Sequence, residues 1–267
     1  MSDAAGGVHR TVALLRCLAT AASGGLRLKD LAEAVGLPRP TTHRILASLM
    51  DEGMVERDAG GKVYRLGLEL FVLAARAGNP TNLRELCRPA LLRLTGSLGE
   101  TIFLLVRSGF DAVCIDRTAG PLPIRSFTGD IGGRVMLGIG QGSMAILAHL
   151  TAGEQDEIIR YNLPRMRDYA ALDEAFLRAE MARVRSRGFC DGAQGLIPGM
   201  AGLGVPILTA DGRAVAALSV GSTTDRMTAE RNVVIAELLM KEARQIGAKL
   251  NPFDPTLRRA GAAMGIA

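Results

Sequence analysis

The chain of 267 residues has no tryptophan, and only 4% of it is aromatic. Aliphatic side chains must fill its interior, which suits helices and small α/β layers better than an aromatic-rich sandwich. Cysteine is also scarce. Cys17, Cys87, Cys114 and Cys190 lie far apart, with no CxxC and no Cys/His cluster. That argues against a disulfide framework or a zinc site and for small buried hydrophobes in a reducing compartment. No apolar run approaches the roughly 18–20 residues that span a bilayer, and the opening MSDAAGGVHR has no signal-peptide core. The expectation is a cytoplasmic protein with no membrane partner.

Histidine is missing where hydrolytic chemistry would need it. Ala217-Leu218-Ser219-Val220-Gly221 has some of the look of a nucleophile elbow, which requires strand, turn and helix, then an acid and a histidine downstream. His9, His43 and His149 all precede Ser219, so that order cannot be met. No His/Glu/Cys spacing suggests a metal. No catalytic residue, metal or cofactor is expected.

The formal charge is +5 and the pI about 9.3, which permits nucleic-acid binding without demanding it. The excess is not concentrated at the N-terminus, since residues 1–66 hold nine Lys/Arg against seven Asp/Glu.

What is present is a patterned N-terminal segment. Met1 to Gly7 reads as a disordered tail. From Arg10, the apolar positions Val12, Leu14, Leu15 and Leu18 recur at helical spacing, and Gly24-Gly25 stops that helix. Leu28, Leu31, Ala32 and Val35 mark a short second helix that Gly36 is placed to end. Leu37-Pro38-Arg39-Pro40 is a turn, with Pro40 suited to the first turn of a third helix. Ile45, Leu46, Leu49 and Met50 form the inward stripe of that helix, and Arg39, Thr41, Thr42, His43 and Arg44 crowd its N-terminal end. Val55–Arg57 and Val63–Leu66, either side of Ala59-Gly60-Gly61, read as a hairpin. This is the order of a winged helix-turn-helix, whose recognition helix offers its N-terminal residues to base edges. Arg39, Thr41, Thr42, His43 and Arg44 are the candidate DNA contacts, with Lys62 and Arg65 of the wing meeting phosphates. A plain three-helix bundle with a solvated Arg/Thr face is the competing reading. Leu68, Leu70, Phe71 and Ala74 continue helically to a break at Gly78-Asn79-Pro80.

RTVALLRCLA, LKDLAEAVGLPRPTTHRILASLMDEGMVERD and YRLGLEL closely resemble the N-terminal domain of IclR-type transcriptional regulators, and the likeness continues more loosely to about Leu250. It implies double-stranded operator DNA as partner, read by a homodimer or a tetramer.

The remainder reads as hairpins interleaved with helices. Expected are a helix ending near Gly99, strands over 101–106 and 112–116, and a Gly/Pro-containing loop over 120–134 with strand potential near Ile124 to Phe127. Helices follow over 143–150, 154–161 and 172–187, then strands over 203–208 and 214–221, and a long helix over 229–250. The fold class is α+β: a winged helix-turn-helix over 8–70, a linker helix and break over 71–82, an antiparallel sheet covered by helices over 83–250, and a tail over 251–267. GETIFLLVRSG, Arg187-Gly188-Phe189, Pro198-Gly199 and VPILTADGRAVAALSV resemble the family's GAF-like effector-binding domain. In that family a small organic acid or aromatic compound occupies the concave face of the sheet.

Gly138-Ile139-Gly140-Gln141-Gly142-Ser143 precedes a helix. It reads either as a carboxylate cradle or as a packing loop, and its spacing is not the dinucleotide G-x-G-x-x-G. Ser219 reads either as a ligand contact or as a strand serine bonded to backbone. On these positions the resemblance implies effector contacts at Leu137, Gly140, Gly142, Met144, Asp191 and Ser219. Relatives commonly carry His and Lys where this chain has Gly138 and Met144, and more acid where it has Asp191 followed by Gly192-Ala193-Gln194-Gly195. The resemblance therefore implies a more apolar pocket, suited to an aromatic or larger ligand. The resulting reading is a transcriptional regulator controlled by a small-molecule effector. The alternatives are an orphan regulator without ligand, an enzyme with a DNA-binding appendage, or a nucleoid-type DNA binder.

Overall fold

The computed structural model describes residues 3–21, 24–58, 60–77, 83–122, 124, 130–167, 172–192 and 197–250. The chain divides into two compact units, Met1–Pro80 and Thr81–Ala267.

The first unit runs α1 (Asp3–Thr20), β1 (Leu26–Arg27), α2 (Leu28–Ala34), α3 (Arg39–Asp51), β2 (Val55–Arg57), β3 (Val63–Leu66) and α4 (Leu68–Ala77). The expected disordered start is instead the first turns of α1. Once a helix is nucleated by a packed segment, each added residue gains a bond for little further ordering, and Thr11 donates to the Gly7 carbonyl at 3.0 Å. The glycines at 6 and 7 cost only about 1 kcal/mol each against alanine. β1 was not legible as a strand. It is two residues long and exists only because Leu26 and Arg27 pair with Tyr64 and Val63 of β3.

Both helices of the helix-turn-helix end in the same way. After α2, Gly36 takes φ +64, its N–H donates to Glu33 O, and that of Leu37 donates to Ala32 O. After α3, Gly53 takes φ +68, its N–H donates to Met50 O, and that of Met54 donates to Leu49 O. These paired bonds satisfy the last carbonyls of each helix and turn the chain sharply. Leu14, Leu18, Leu31, Leu46, Leu49, Val55 and Tyr64 make the core. Tyr64, the large member at 1% exposure, accounts for the Tyr-x-Leu-Gly pattern together with Gly67, where a Cβ would lie 2.1 Å from the Gly53 carbonyl oxygen.

The second unit contains α5 (Leu83–Leu98), β4 (Thr101–Ser108), β5 (Asp111–Thr118), β6 (Arg134–Met136), α6 (Gln141–Ala148), α7 (Ala152–Asn162), a 3₁₀ turn (Leu163–Met166), α8 (Glu174–Arg187), β7 (Cys190–Gly192), β8 (Met200–Leu208), β9 (Ala214–Thr223) and α9 (Ala229–Gly247). Its six strands form one antiparallel sheet in the order β6-β5-β4-β9-β8-β7. One face packs Ile102, Leu104, Val205, Leu218 and Val220 against α5 and α9. The other packs Phe103, Leu105, Cys114 and Ala217 against α6, α7 and α8. Because both faces are covered, β4 and β9 read as continuous apolar runs rather than alternating ones.

The edge strands β6 and β7, three residues each, escaped the sequence reading because they are too short to show a period. Short edges also limit pairing with other chains. Ser222 and Thr223, beyond the expected strand end at 221, extend β9 opposite Ala201 and Met200. Of the strand potential near Ile124 to Phe127, residues 125–127 lie outside the described residues, and Ile124 is not in a strand. The expected tail over 251–267 and the break at 78–80 also lie outside them. No helix among the described residues is long and apolar enough to cross a membrane.

Candidate nucleic-acid interface and ligand site

The N-terminal half of α3 sorts its residues by the helical repeat. Leu46 and Leu49 point into the core, and so does Thr42, at 0% exposure. The Thr42 hydroxyl donates to the Pro38 carbonyl at 3.2 Å. This corrects the placement of Thr42 among the DNA contacts. One turn before Leu46, it falls on the inward stripe and closes the first turn of its own helix. Arg39, His43 and Arg44 are exposed and Thr41 is half-buried. Ser48, one turn beyond Arg44, shares their face and donates to the Arg44 carbonyl.

The wing is held by Asp58. Its carboxylate accepts from the backbone N–H groups of Lys62 and Val63, both at 2.8 Å, and these bonds hold its pKa below the ordinary carboxylate value. The turn leaves Lys62 and Arg65 exposed. Arg57, exposed on β2, stacks over the Tyr64 ring at 4.8 Å, and Arg27 is exposed on β1. These two basic residues were missed. Arg27 could have been suspected only if β1 had been recognised as a third strand of the wing sheet. Across this unit no Lys or Arg is ion-paired among the described residues.

In the second unit, the G-x-G-x-G stretch seats α6 on the sheet. Gly140 takes φ +76 as the cap residue of α6. A Cβ on Gly142 would lie 2.6 Å from Leu105 and 2.9 Å from Ser219, and one on Gly204 would lie 2.5 Å from the Gln141 backbone. The first turn of α6 therefore rests directly on β8 and β9. Gly142 and Ser219, two of the expected ligand contacts, are brought together. The Ser219 hydroxyl donates to Leu203 O at 3.2 Å, the backbone alternative of its two readings. It retains lone pairs on the α6 side.

Leu137 and Met144 are fully buried in the apolar cluster on that face. Asp191 is ion-paired, accepting both Arg187 nitrogens at 2.9 and 3.0 Å, so its charge is already neutralised. Residues 193–195 lie outside the described residues. Gln141, quoted in the motif but not chosen, reaches from α6 to β7 and β8. Its Nε2 donates to Gly192 O at 2.6 Å, and its Oε1 lies 2.8 Å from where a Gly202 Cβ would stand. Ile124 and Phe103 close in similarly where Gly221 lacks a side chain. The described part of this face is largely apolar; Ser143 and Asn162 are bonded to backbone carbonyls, and Gln141 and Ser219 are the polar side chains where α6 meets β7, β8 and β9. Among the described residues no cluster of His, Cys, Asp or Glu could hold a metal.

The first unit matches the description of the IclR helix-turn-helix domain over residues 7–59. Residues 76–248 match that of the bacterial transcriptional regulator IclR C-terminal. The chain is 30% identical to the probable transcriptional regulator SauR of Cupriavidus necator over 79% of this chain and 84% of that one. It is 32% identical to the HTH-type transcriptional regulator Rv1719 of Mycobacterium tuberculosis over 68% of each. Among solved structures, an IclR homolog from Microbacterium hydrocarbonoxydans complexed with 4-hydroxybenzoate shares the fold at TM-score 0.75 and 23% identity, over 94% of this chain and 99% of that one.

Proposed function

Because this chain belongs to the IclR family and is a DNA-binding transcriptional regulator, we propose that α3 enters the major groove of its operator. Arg39, His43, Arg44 and Thr41 then face the bases while Lys62 and Arg65 meet flanking phosphates. The observation that carries this reading is the absence of ion-pair partners on that face. The cations of α3 and the wing are exposed and form no ion pair among the described residues. Arg44 offers a planar fork suited to guanine O6 and N7. A homodimer would present two such helices to a pseudo-palindromic site, in the cytoplasm where the DNA is.

The second unit holds the effector on this reading, on the sheet face under the start of α6. Gln141, Gly142 and Ser219 supply the polar contacts, with Gly140, Leu137, Met144 and Asp191 around them. An aromatic acid fits an apolar wall with few polar atoms, and one relative is solved with 4-hydroxybenzoate. The ligand shifts operator affinity by the difference in its own affinity for the two DNA-competence states. The relatives are regulators, and no enzymatic role is assigned. The test is selection of genomic fragments on the full-length protein, followed by anisotropy titration with Arg44→Ala. Selection of a recurrent two-fold site that the variant no longer distinguishes supports the reading. Equal affinity of variant and wild type for it overturns the placement of α3.

A further inference from the structure

A cavity of about 470 Å³ opens at the other end of α6 from the sheet-seated glycines. Three chain segments end around it: α6 at His149, α8 at its left-handed cap Gly188, and α9 over its last turns. The β8 end supplies an apolar floor, Pro206 and Leu208, and Met240 of α9 adds a wall. The volume falls within the range of small-molecule pockets, roughly 300–1,000 Å³.

Three polar side chains line it; the Thr209 hydroxyl is taken by Asp211 and the Arg213 carbonyl, while His149 and Arg244 keep bonding capacity free. The His149 Nδ1 lies 3.1 Å from the Ala145 carbonyl. A carbonyl only accepts, so Nδ1 carries the proton and Nε2 is left as the acceptor of the ring. Among the described residues Nε2 has no hydrogen-bond partner. Burial depresses the pKa of this histidine, the Ala145 bond opposes that and nearby Arg185 adds to it, with a net downward shift that favours the neutral ring. Arg244 is exposed at the rim and has no ion-pair partner among the described residues, although most arginines of this unit are paired. Among the described residues no Asp or Glu lines the cavity, and the formal charge of that lining is that of Arg244 alone.

We propose that this cavity is a second small-molecule site, separate from the sheet face under the start of α6, and that it takes an amphipathic monoanion with an aromatic or branched apolar body. The anionic group pairs with Arg244. The body lies on Pro206, Leu208 and Met240, and a hydroxyl or N–H of the ligand donates to His149 Nε2. A cation is disfavoured because the lining has no acid to neutralise it. A wholly apolar ligand would leave both polar groups unused.

The probe is 8-anilinonaphthalene-1-sulfonate, an aromatic monoanion with an N–H, titrated by fluorescence into the full-length protein. A saturable, blue-shifted component is expected. Arg244→Glu should weaken it at least tenfold and Met240→Trp, which fills the cavity, should abolish it. Arg160→Glu, the same charge change on the exposed side of α7, should alter it less than twofold. Thermal melts establish that each variant is folded, and either of the two cavity variants suffices if the other is not. No saturable binding by wild type, or wild-type binding by the folded cavity variants, overturns the site. Loss with Met240→Trp but not with Arg244→Glu overturns the anionic class. Equal loss with Arg160→Glu and Arg244→Glu overturns the location.

Discussion

The two units of this chain treat their charges in opposite ways. In the second, buried and half-buried acids are met by arginines. Glu100 is held by Arg226 and Arg231 at 2.8 Å each, Asp116 by Arg88 at 2.9 Å, and Glu154 by Arg107 and Arg213 at 2.6 and 2.8 Å. In the first, no ion pair is found among the described residues. Yet the first unit has scarcely any net charge, nine basic residues against seven acidic over 1–66. Net charge therefore did not mark the DNA-facing half; pairing did. A cation already neutralised by a neighbour has little left to gain from a phosphate, whereas an exposed unpaired one releases counterions on binding.

This contrast can be broken most forcefully through the core that presents the cations. Tyr64→Ala empties the largest buried side chain of the first unit and should cost about 3–5 kcal/mol of stability. Calorimetry should show a lowered transition and loss of operator binding, with the melting of the second unit's core unaffected. Unchanged melting would mean that the wing sheet does not depend on this ring.

Glu154→Gln tests the paired half. Glu154 also closes the capping box of α7, with Thr151. Glutamine can still accept in that box, so what is lost is the charge met by Arg107 and Arg213; this should cost about 1–3 kcal/mol and leave operator affinity unchanged in the absence of effector. The loss should depend on pH. Burial raises the Glu154 pKa, but the bonds from Thr151 and Arg107 outweigh it and the net shift is downward. A carboxyl depressed on folding contributes stability above its unfolded pKa, near 4.3, and loses it as pH falls through the lower folded value. The gap in melting temperature between wild type and variant should thus be full at pH 7 and close below about pH 4. A gap constant down to pH 3 would show that the carboxylate charge is not what matters.

Arg44→Ala should lower operator affinity by about 1–3 kcal/mol, roughly five- to 150-fold, with no change in melting temperature. That silence in stability is what an unpaired cation should give, and destabilisation would contradict it. Smallest is Lys62→Ala, a wing cation placed for phosphate. It should weaken binding to all sequences alike and reduce the salt slope of the binding constant by about one. A change in sequence preference would move Lys62 from phosphate to base.

Much of this was legible beforehand because local chemistry specified it. Gly36 and Gly53 end their helices with left-handed residues, Pro40 opens α3, and Gly60-Gly61 turns the wing. Each acts within a few residues of itself. Thr42 was misread because residue type suggested DNA, while its place one turn before Leu46 faced it inward. The proposed sheet-face site rests on a departure from relatives at Gly138 and Met144 that the sequence already displays. Gln141 could not be singled out, since its role depends on Gly192, Gly202 and Gly204, fifty to sixty residues away. The cavity at His149 and Arg244 had no sequence signal at all, because its residues come from three helix ends and a strand.

Periodicity, turn residues and caps act over short separations, and they specify the helix-turn-helix, its wing, the two-part α+β plan and the family in the linear chain. Which cations stay unpaired, which glycines admit a helix onto the sheet, and where cavities remain follow from the folded packing alone. Those depend on packing between segments far apart in the chain, which no local pattern encodes.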